Sequence, residues 1–97
     1  MNPKSLVSLL ASRSAEIVRR FGIKKLGIFG SAARDEMHEE SDMDILVEFH
    51  ATPTFDAYMD LTFYLEELLL TSVDLVIEDT VKPRMRPLIE KDLFRVA

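Results

Sequence analysis

The sequence has no cysteine, which rules out disulfides, thiolate zinc sites and a cysteine nucleophile. Its two histidines are too few to build a structural zinc site by themselves. Only three glycines and four prolines among 97 residues argue against a disordered or low-complexity chain. No apolar run approaches the ~20 residues needed to cross a bilayer. The start, Met1-Asn2-Pro3-Lys4, lacks the apolar stretch and cleavage site of a signal peptide. These absences set the expectation of a cytoplasmic protein with no membrane segment.

What is present fits one folded domain over residues 1–97. The chain is 47% hydrophobic and 30% charged, the balance of a globular protein, and its length leaves room for a single core. The net charge of −5 conceals an asymmetry. Residues 1–27 carry six Lys/Arg and one acid, and residues 81–97 carry five and two; residues 28–80 hold fourteen acids against one base, Arg34. A solvated acidic face accounts for most of these acids. Crowded like charge is nevertheless costly unless offset, and bound divalent cations are one such offset. An acidic middle also argues against direct nucleic-acid binding there, which calls for a basic surface.

Hydrophobic spacing outlines an α/β chain. Asn2-Pro3 is a good helix start, and Leu6, Leu10, Ile17 and Phe21 recur at helical spacing up to a stop at Gly22, which predicts a helix over 3–21. Leu26 to Phe29 reads as a buried strand ending at Gly30-Ser31, followed by a short helix from Ala32 to about Met37. Asp42 to Phe49 alternates and predicts a second strand. Thr54 is placed to cap a helix over about 55–70, whose apolar set is wider than one face needs. One stripe, such as Phe55, Met59, Leu65 and Leu69, can pack on a sheet. Phe63 and Tyr64 diverge by about 100°, so at least one must lie outside it. Val73 to Ile77 predicts a third strand. The stretch 82–92 is helix-like in composition, with Pro87 expected to kink it or delay its start, and Leu93 to Val96 reads as a last short strand.

The informative segment runs from Gly30 to Asp44. Asp42 and Asp44, two residues apart at a strand's start, point to one side about 6.6–6.8 Å apart along the chain. A core would want apolar side chains there and finds two like charges. Magnesium is held by a few carboxylates together with substrate phosphates, and two such ions can steady the attacking and leaving oxygens of a phosphoryl displacement. Asp74 opens another apolar strand and joins the pair if the two strands are neighbours. Gly30-Ser31, at a strand-to-helix turn, lets backbone approach a ligand closely, and the helix start offers N–H groups to an anion such as a triphosphate. Arg34 either contacts phosphate or pairs with Glu36 or another nearby acid. His38 and His50 read as surface residues. Glu40-Ser41-Asp42 and Glu90-Lys91-Asp92 also have the acid-x-acid form and carry no site reading.

Gly30-Ser31, ten intervening residues and Asp42-Met43-Asp44 resemble the signature of the DNA polymerase beta-like nucleotidyltransferase superfamily. Phe29, Ala33-Arg34, Glu36 and Ser41 make the chain similar to the minimal nucleotidyltransferase (MNT) family, as do Val73-Asp74-Leu75-Val76 and Lys82-Pro83-Arg84. The chain departs from the family at Asp35, where glycine is usual, and at Pro87. The resemblance implies a nucleotidyltransferase fold, a small mixed β-sheet packed with helices. It also implies two magnesium ions bridging Asp42, Asp44 and Asp74 to ATP, with Gly30, Ser31 and Arg34 on the nucleotide. A hydroxyl then attacks the α-phosphorus and pyrophosphate leaves. MNT proteins commonly act as antitoxins of type VII toxin–antitoxin pairs, some transferring AMP to a tyrosine of a HEPN-domain toxin. The expected partner is therefore a HEPN toxin, bound in a hetero-oligomer. A homodimer, a contact-only antitoxin and a transferase for a small molecule such as an aminoglycoside are the other readings.

Overall fold

A computed structural model describes residues 3–31, 33–34 and 42–97. Helix α1 spans Pro3–Phe21, as its apolar spacing requires, and Gly22 closes it at a φ of +64°, the left-handed turn that glycine enters without steric cost. Strand β1, Ile23–Phe29, is followed by β2, Met43–Phe49. Helix α2, Phe55–Leu69, connects β2 to β3, Val73–Ile77. Two single 3-10 turns, Glu78–Thr80 and Pro83–Met85, lead into α3, Arg86–Asp92, and β4, Phe94–Arg95.

The sheet order is β3-β2-β1-β4. β1 runs antiparallel to both β2 and β4, whereas β2 and β3 are parallel, so the sheet is mixed. A parallel pair needs a long crossover, and α2 supplies it. One face is sealed by α1 and α2. Leu6, Leu10 and Ile17 from α1 and Leu61, Leu65 and Leu69 from α2 pack against Leu26, Ile28, Met43, Ile45, Val47 and Leu75. In β2 the odd-numbered residues enter this core, and Asp44, Leu46 and Glu48 fall on the opposite face, as a period of two demands.

Three expectations change in detail, and a fourth is met in one of its two forms. β1 starts at Ile23 rather than Leu26, because an irregularity between Ile23 and Lys25 turns Ile23 back into the core although Lys24 and Lys25 are exposed. Bulges of this kind break the alternation that sequence reading relies on. β2 begins at Met43, with Asp42 just outside it. The core stripe of α2 is Leu61, Leu65 and Leu69 with Thr62; Phe55 is exposed and Met59 only half-buried, so neither belongs to it. Of the two effects expected of Pro87, the delayed start is the one seen: α3 begins at Arg86 with Pro87 in its first turn, where the missing N–H costs nothing. Of the short helix expected over 32–37, only the turn at Ala33 and Arg34 is described; Asp35, Glu36, His38 and Ser41 lie outside the described residues.

Thr54 caps α2 as expected: its Oγ1 accepts from the Ala57 N–H at 3.1 Å, and the Tyr58 N–H reaches the Thr54 carbonyl at 3.0 Å. Thr54→Ala removes the side-chain partner of an otherwise orphaned donor and should cost roughly 0.5–2 kcal/mol. Denaturant unfolding measures this directly, with Thr54→Ser expected to restore most of the loss.

Candidate functional site

Three chain segments converge at one end of the sheet. β1 finishes there into Gly30-Ser31, and β2 and β3 begin there. The register sets Phe29 opposite Asp44, and Asp44 opposite Asp74. Residues paired across a sheet share a face, so Asp74 lies beside Asp44 on the face away from α1 and α2. The parallel β2–β3 neighbourhood is the condition on which Asp74 was expected to join the pair, and it is met. Asp42, two residues before Asp44, is exposed, as is Asp74, while Asp44 is half-buried.

The electrostatics register this crowding. Burial, then the charge of Asp74, then that of Asp42 push the Asp44 carboxyl above its ordinary value, and the Arg34 guanidinium pulls part of the way back. Gly30 takes a φ of +74°, and a Cβ there would overlap the Asp44 carboxylate, standing 3.1 Å from its Cγ. Backbone and carboxylate touch because residue 30 has no side chain. Ser31 is half-buried in the turn that follows, closed by a hydrogen bond from the Arg34 N–H to the Gly30 carbonyl at 3.1 Å.

Oxygen donors of this kind suit a hard divalent cation. Among the described residues no three acidic or histidine side chains are close enough to enclose an ion unaided. Magnesium taken up with substrate phosphates needs only one or two carboxylates, and the Asp44 register with Asp74 supplies such a pair. The donor set therefore fits magnesium delivered with a triphosphate.

Two residues acquire roles that sequence reading missed. Asp92, at the end of α3, accepts a hydrogen bond from Arg34 Nη1 at 2.8 Å. Arg34 thus pairs with an acid, as one of its two readings held, and this acid lies 58 positions away; Glu36 lies outside the described residues. Tyr58 of α2 donates its hydroxyl to the Leu75 carbonyl at 2.5 Å, next to Asp74. Burial first, and then the Asp74 charge, push its phenol up. Neither contact leaves a local signal in sequence, since both join elements far apart in the chain. His50 is exposed, in keeping with its reading as a surface residue.

A family model described as the nucleotidyltransferase domain matches residues 11–95. The chain belongs to the nucleotidyltransferase family. Among its relatives is a Methanocaldococcus jannaschii protein provisionally named as a protein adenylyltransferase, 42% identical over 91% of either chain. Another is the protein adenylyltransferase MntA of Thermococcus cleftensis, 40% identical over 81% of this chain and 80% of that protein. A solved structure provisionally described as a minimal nucleotidyltransferase is 32% identical, covers 97% of this chain and 95% of its own, and superposes with a TM-score of 0.80. A chain from the structure of a tri-AMPylated Shewanella oneidensis HEPN toxin in complex with MNT antitoxin shares the fold at 19% identity. It covers 94% of this chain and 71% of its own, with a TM-score of 0.68. The MNT resemblance, the mixed sheet and the nucleotidyltransferase activity read from the sequence stand on these matches.

The raised Asp44 pKa makes a stability prediction for this nucleotidyltransferase. A carboxyl whose folded pKa exceeds its unfolded value, 3.8, destabilises the fold once pH rises through the interval between the two. At neutral pH without metal, Asp44→Asn should therefore raise the thermal midpoint. The gain should fade as pH falls through the interval and be lost below 3.8, where the wild-type carboxyl becomes protonated in both states. Melting curves from about pH 3 to 8 in a chelator test this, and a mutant less stable at pH 7 would contradict it.

Proposed function

We propose that this nucleotidyltransferase transfers AMP from ATP to a tyrosine hydroxyl of a HEPN-domain toxin, in a magnesium-dependent reaction, and so acts as that toxin's antitoxin. The observation that carries the reading is the alignment of Asp44 with Asp74 across β2 and β3, with Asp42 two residues upstream and Gly30 against the Asp44 carboxylate.

Each residue has a role in the reaction. The backbone at Gly30-Ser31 and the Ser31 hydroxyl seat the triphosphate, and Arg34 meets its negative charge. Asp42, Asp44 and Asp74 hold magnesium, which when bound supplies positive charge for the α-phosphoryl group and the departing pyrophosphate. Asp74 takes the proton of the incoming hydroxyl. A new O–Pα bond forms, the bond from Pα to the bridging oxygen breaks, and that oxygen leaves with pyrophosphate. Names of relatives as protein adenylyltransferases and the tri-AMPylated toxin beside an MNT antitoxin support a protein acceptor.

α2 supports a partner independently. Outside its core stripe it carries a second apolar one: Phe55 is 77%, Phe63 57% and Leu70 85% exposed. At 3.6 residues per turn Phe55 and Phe63 fall, with half-buried Met59, within an arc of about 80°, and Leu70 follows just past the end of the helix. Leu70 also takes a φ of +55°, a C-terminal position that favours glycine, so an exposed leucine there serves neither backbone nor core. The exposed acids Asp56, Asp60 and Glu67 line one flank of the stripe. This surface fits an apolar patch rimmed by Lys or Arg. Of the two aromatics expected to diverge, Phe63 is the exposed one, while Tyr64 is half-buried, its ring 5.3 Å from that of Phe21.

Two experiments test these parts separately. Asp42→Asn or Asp44→Asn should abolish adenylyl transfer to a HEPN toxin while leaving the protein folded. Asp74→Asn should slow transfer by at least ~10² with ATP binding largely retained. Full activity in the Asp42 and Asp44 variants would remove the metal reading, and transfer-dead variants that still neutralise the toxin would favour an antitoxin acting by contact. For the interface, Phe63→Glu should weaken the toxin complex by about tenfold or more and leave ATP binding untouched. An unchanged affinity would clear α2 of that role.

A further inference from the structure

Arg34 reaches Asp92 across 58 residues of sequence, and the two ends of the contact are held very differently. Asp92 is the better buried, its side chain 18% exposed against 45% for Arg34. It ends α3, and the next residues pair with β1, Phe94 opposite Ile28 and Arg95 opposite Gly27. Asp92 is thereby fixed to the same strand that runs into Gly30. Arg34 stands one turn beyond Gly30 on a long side chain with many rotamers, whose placement costs conformational entropy.

We infer that Asp92 is a positioning residue for nucleotide binding: it holds the Arg34 guanidinium beside the aspartates, where the charge of the triphosphate enters. The inference rests on the reading of Gly30, Ser31 and Arg34 as the triphosphate seat. A guanidinium is a planar fork of donors, so fixing one nitrogen on a carboxylate restricts the whole group. The backbone also keeps Arg34 near the aspartates: its N–H bonds the Gly30 carbonyl at 3.1 Å, and Gly30 lies against the Asp44 carboxylate. Ion pairs this exposed add little to stability, so the effect of Asp92 belongs in ligand binding and not in the thermal midpoint.

The test uses the full chain, Asp92→Asn as a nearly isosteric change, Arg34→Gln, and the double variant, with calorimetric binding of ATP in magnesium. Asp92→Asn is expected to weaken binding about three- to tenfold in the Arg34 background and to add almost nothing once Arg34 is Gln, the signature of coupled residues. In turnover assays the KM for ATP should rise while kcat stays within about twofold, with the midpoint unchanged. Unaltered binding, or an equal loss with and without Arg34, overturns the inference while leaving the triphosphate seat standing. Tighter binding in Asp92→Asn also overturns it, since Asp92 would then be competing with phosphate for Arg34. A wild-type chain that does not bind ATP at all removes the seat, and the inference with it.

Discussion

Repulsion among Asp42, Asp44 and Asp74 is the constraint around which the functional end of this fold is arranged. Asp44 is the focus: burial and two neighbouring negative charges all oppose its ionisation. Nothing in the packing of the core calls for such a cluster, because the Asp44 side chain projects from the face opposite α1 and α2. The fold nevertheless fixes it from several directions. The parallel register sets Asp74 across from it, the Gly30 backbone closes on its carboxylate, and the Arg34 charge reaches it. Strain of this kind persists only where the surroundings over-determine it, and such places are commonly functional.

The division of labour between the faces of the sheet makes that strain tolerable. Stability resides on the side of α1 and α2, where the strands present Ile, Leu, Val and Met to a continuous core. On the other side Leu46 is covered by the segment that follows β3, and the strand ends carry Asp44 and Asp74. α2 contributes to both purposes. Its Leu61, Leu65 and Leu69 stripe is core, and Tyr58 ties it to β3 through the Leu75 carbonyl. Its second stripe, Phe55, Phe63 and Leu70, leaves apolar area in water. A helix that only had to cover the sheet would have no use for two exposed phenylalanines on one side and an exposed leucine at its end.

Much of this was legible in the sequence wherever a local rule applied. The bounds of α1, the Thr54 cap and the strand Val73–Ile77 follow from spacing and capping chemistry, and the structure has them where those rules put them. That Asp44 and Asp74 lie near strand starts was also visible, although both stand on the face away from the core and not at core positions, and Asp42 falls just outside β2. What was not legible depended on contacts between distant segments. The irregularity in β1 hid Ile23 behind two lysines. α2 offered two apolar stripes, and sequence could not say which one met the sheet. Asp92 sat in an acid-x-acid stretch with no local distinction, and only the return of β4 to β1 brings it to Arg34.

The charge asymmetry along the chain resolves in the same long-range way. The acidic middle segment, 28–80, meets the basic ends at several points on the sheet. Arg95 bonds Glu78 at 3.0 Å, Arg86 reaches the Glu78 carbonyl at 3.3 Å, and Lys24 stands 3.9 Å from Glu48. Burial alone would raise the Glu78 carboxyl, but the hydrogen bond and charge of Arg95, with Lys25 behind it, hold it below its ordinary value. These acids have their counter-charges within the protein. At Asp44 the balance falls the other way: among the described residues Arg34 is the base that offsets it, and Arg34 is shared with Asp92. The fold thus sets bases against Glu48 and Glu78 and leaves negative charge crowded around Asp44. A divalent cation arriving with a triphosphate would offset that charge, so the same repulsion that weakens the free protein should favour binding the metal and its nucleotide.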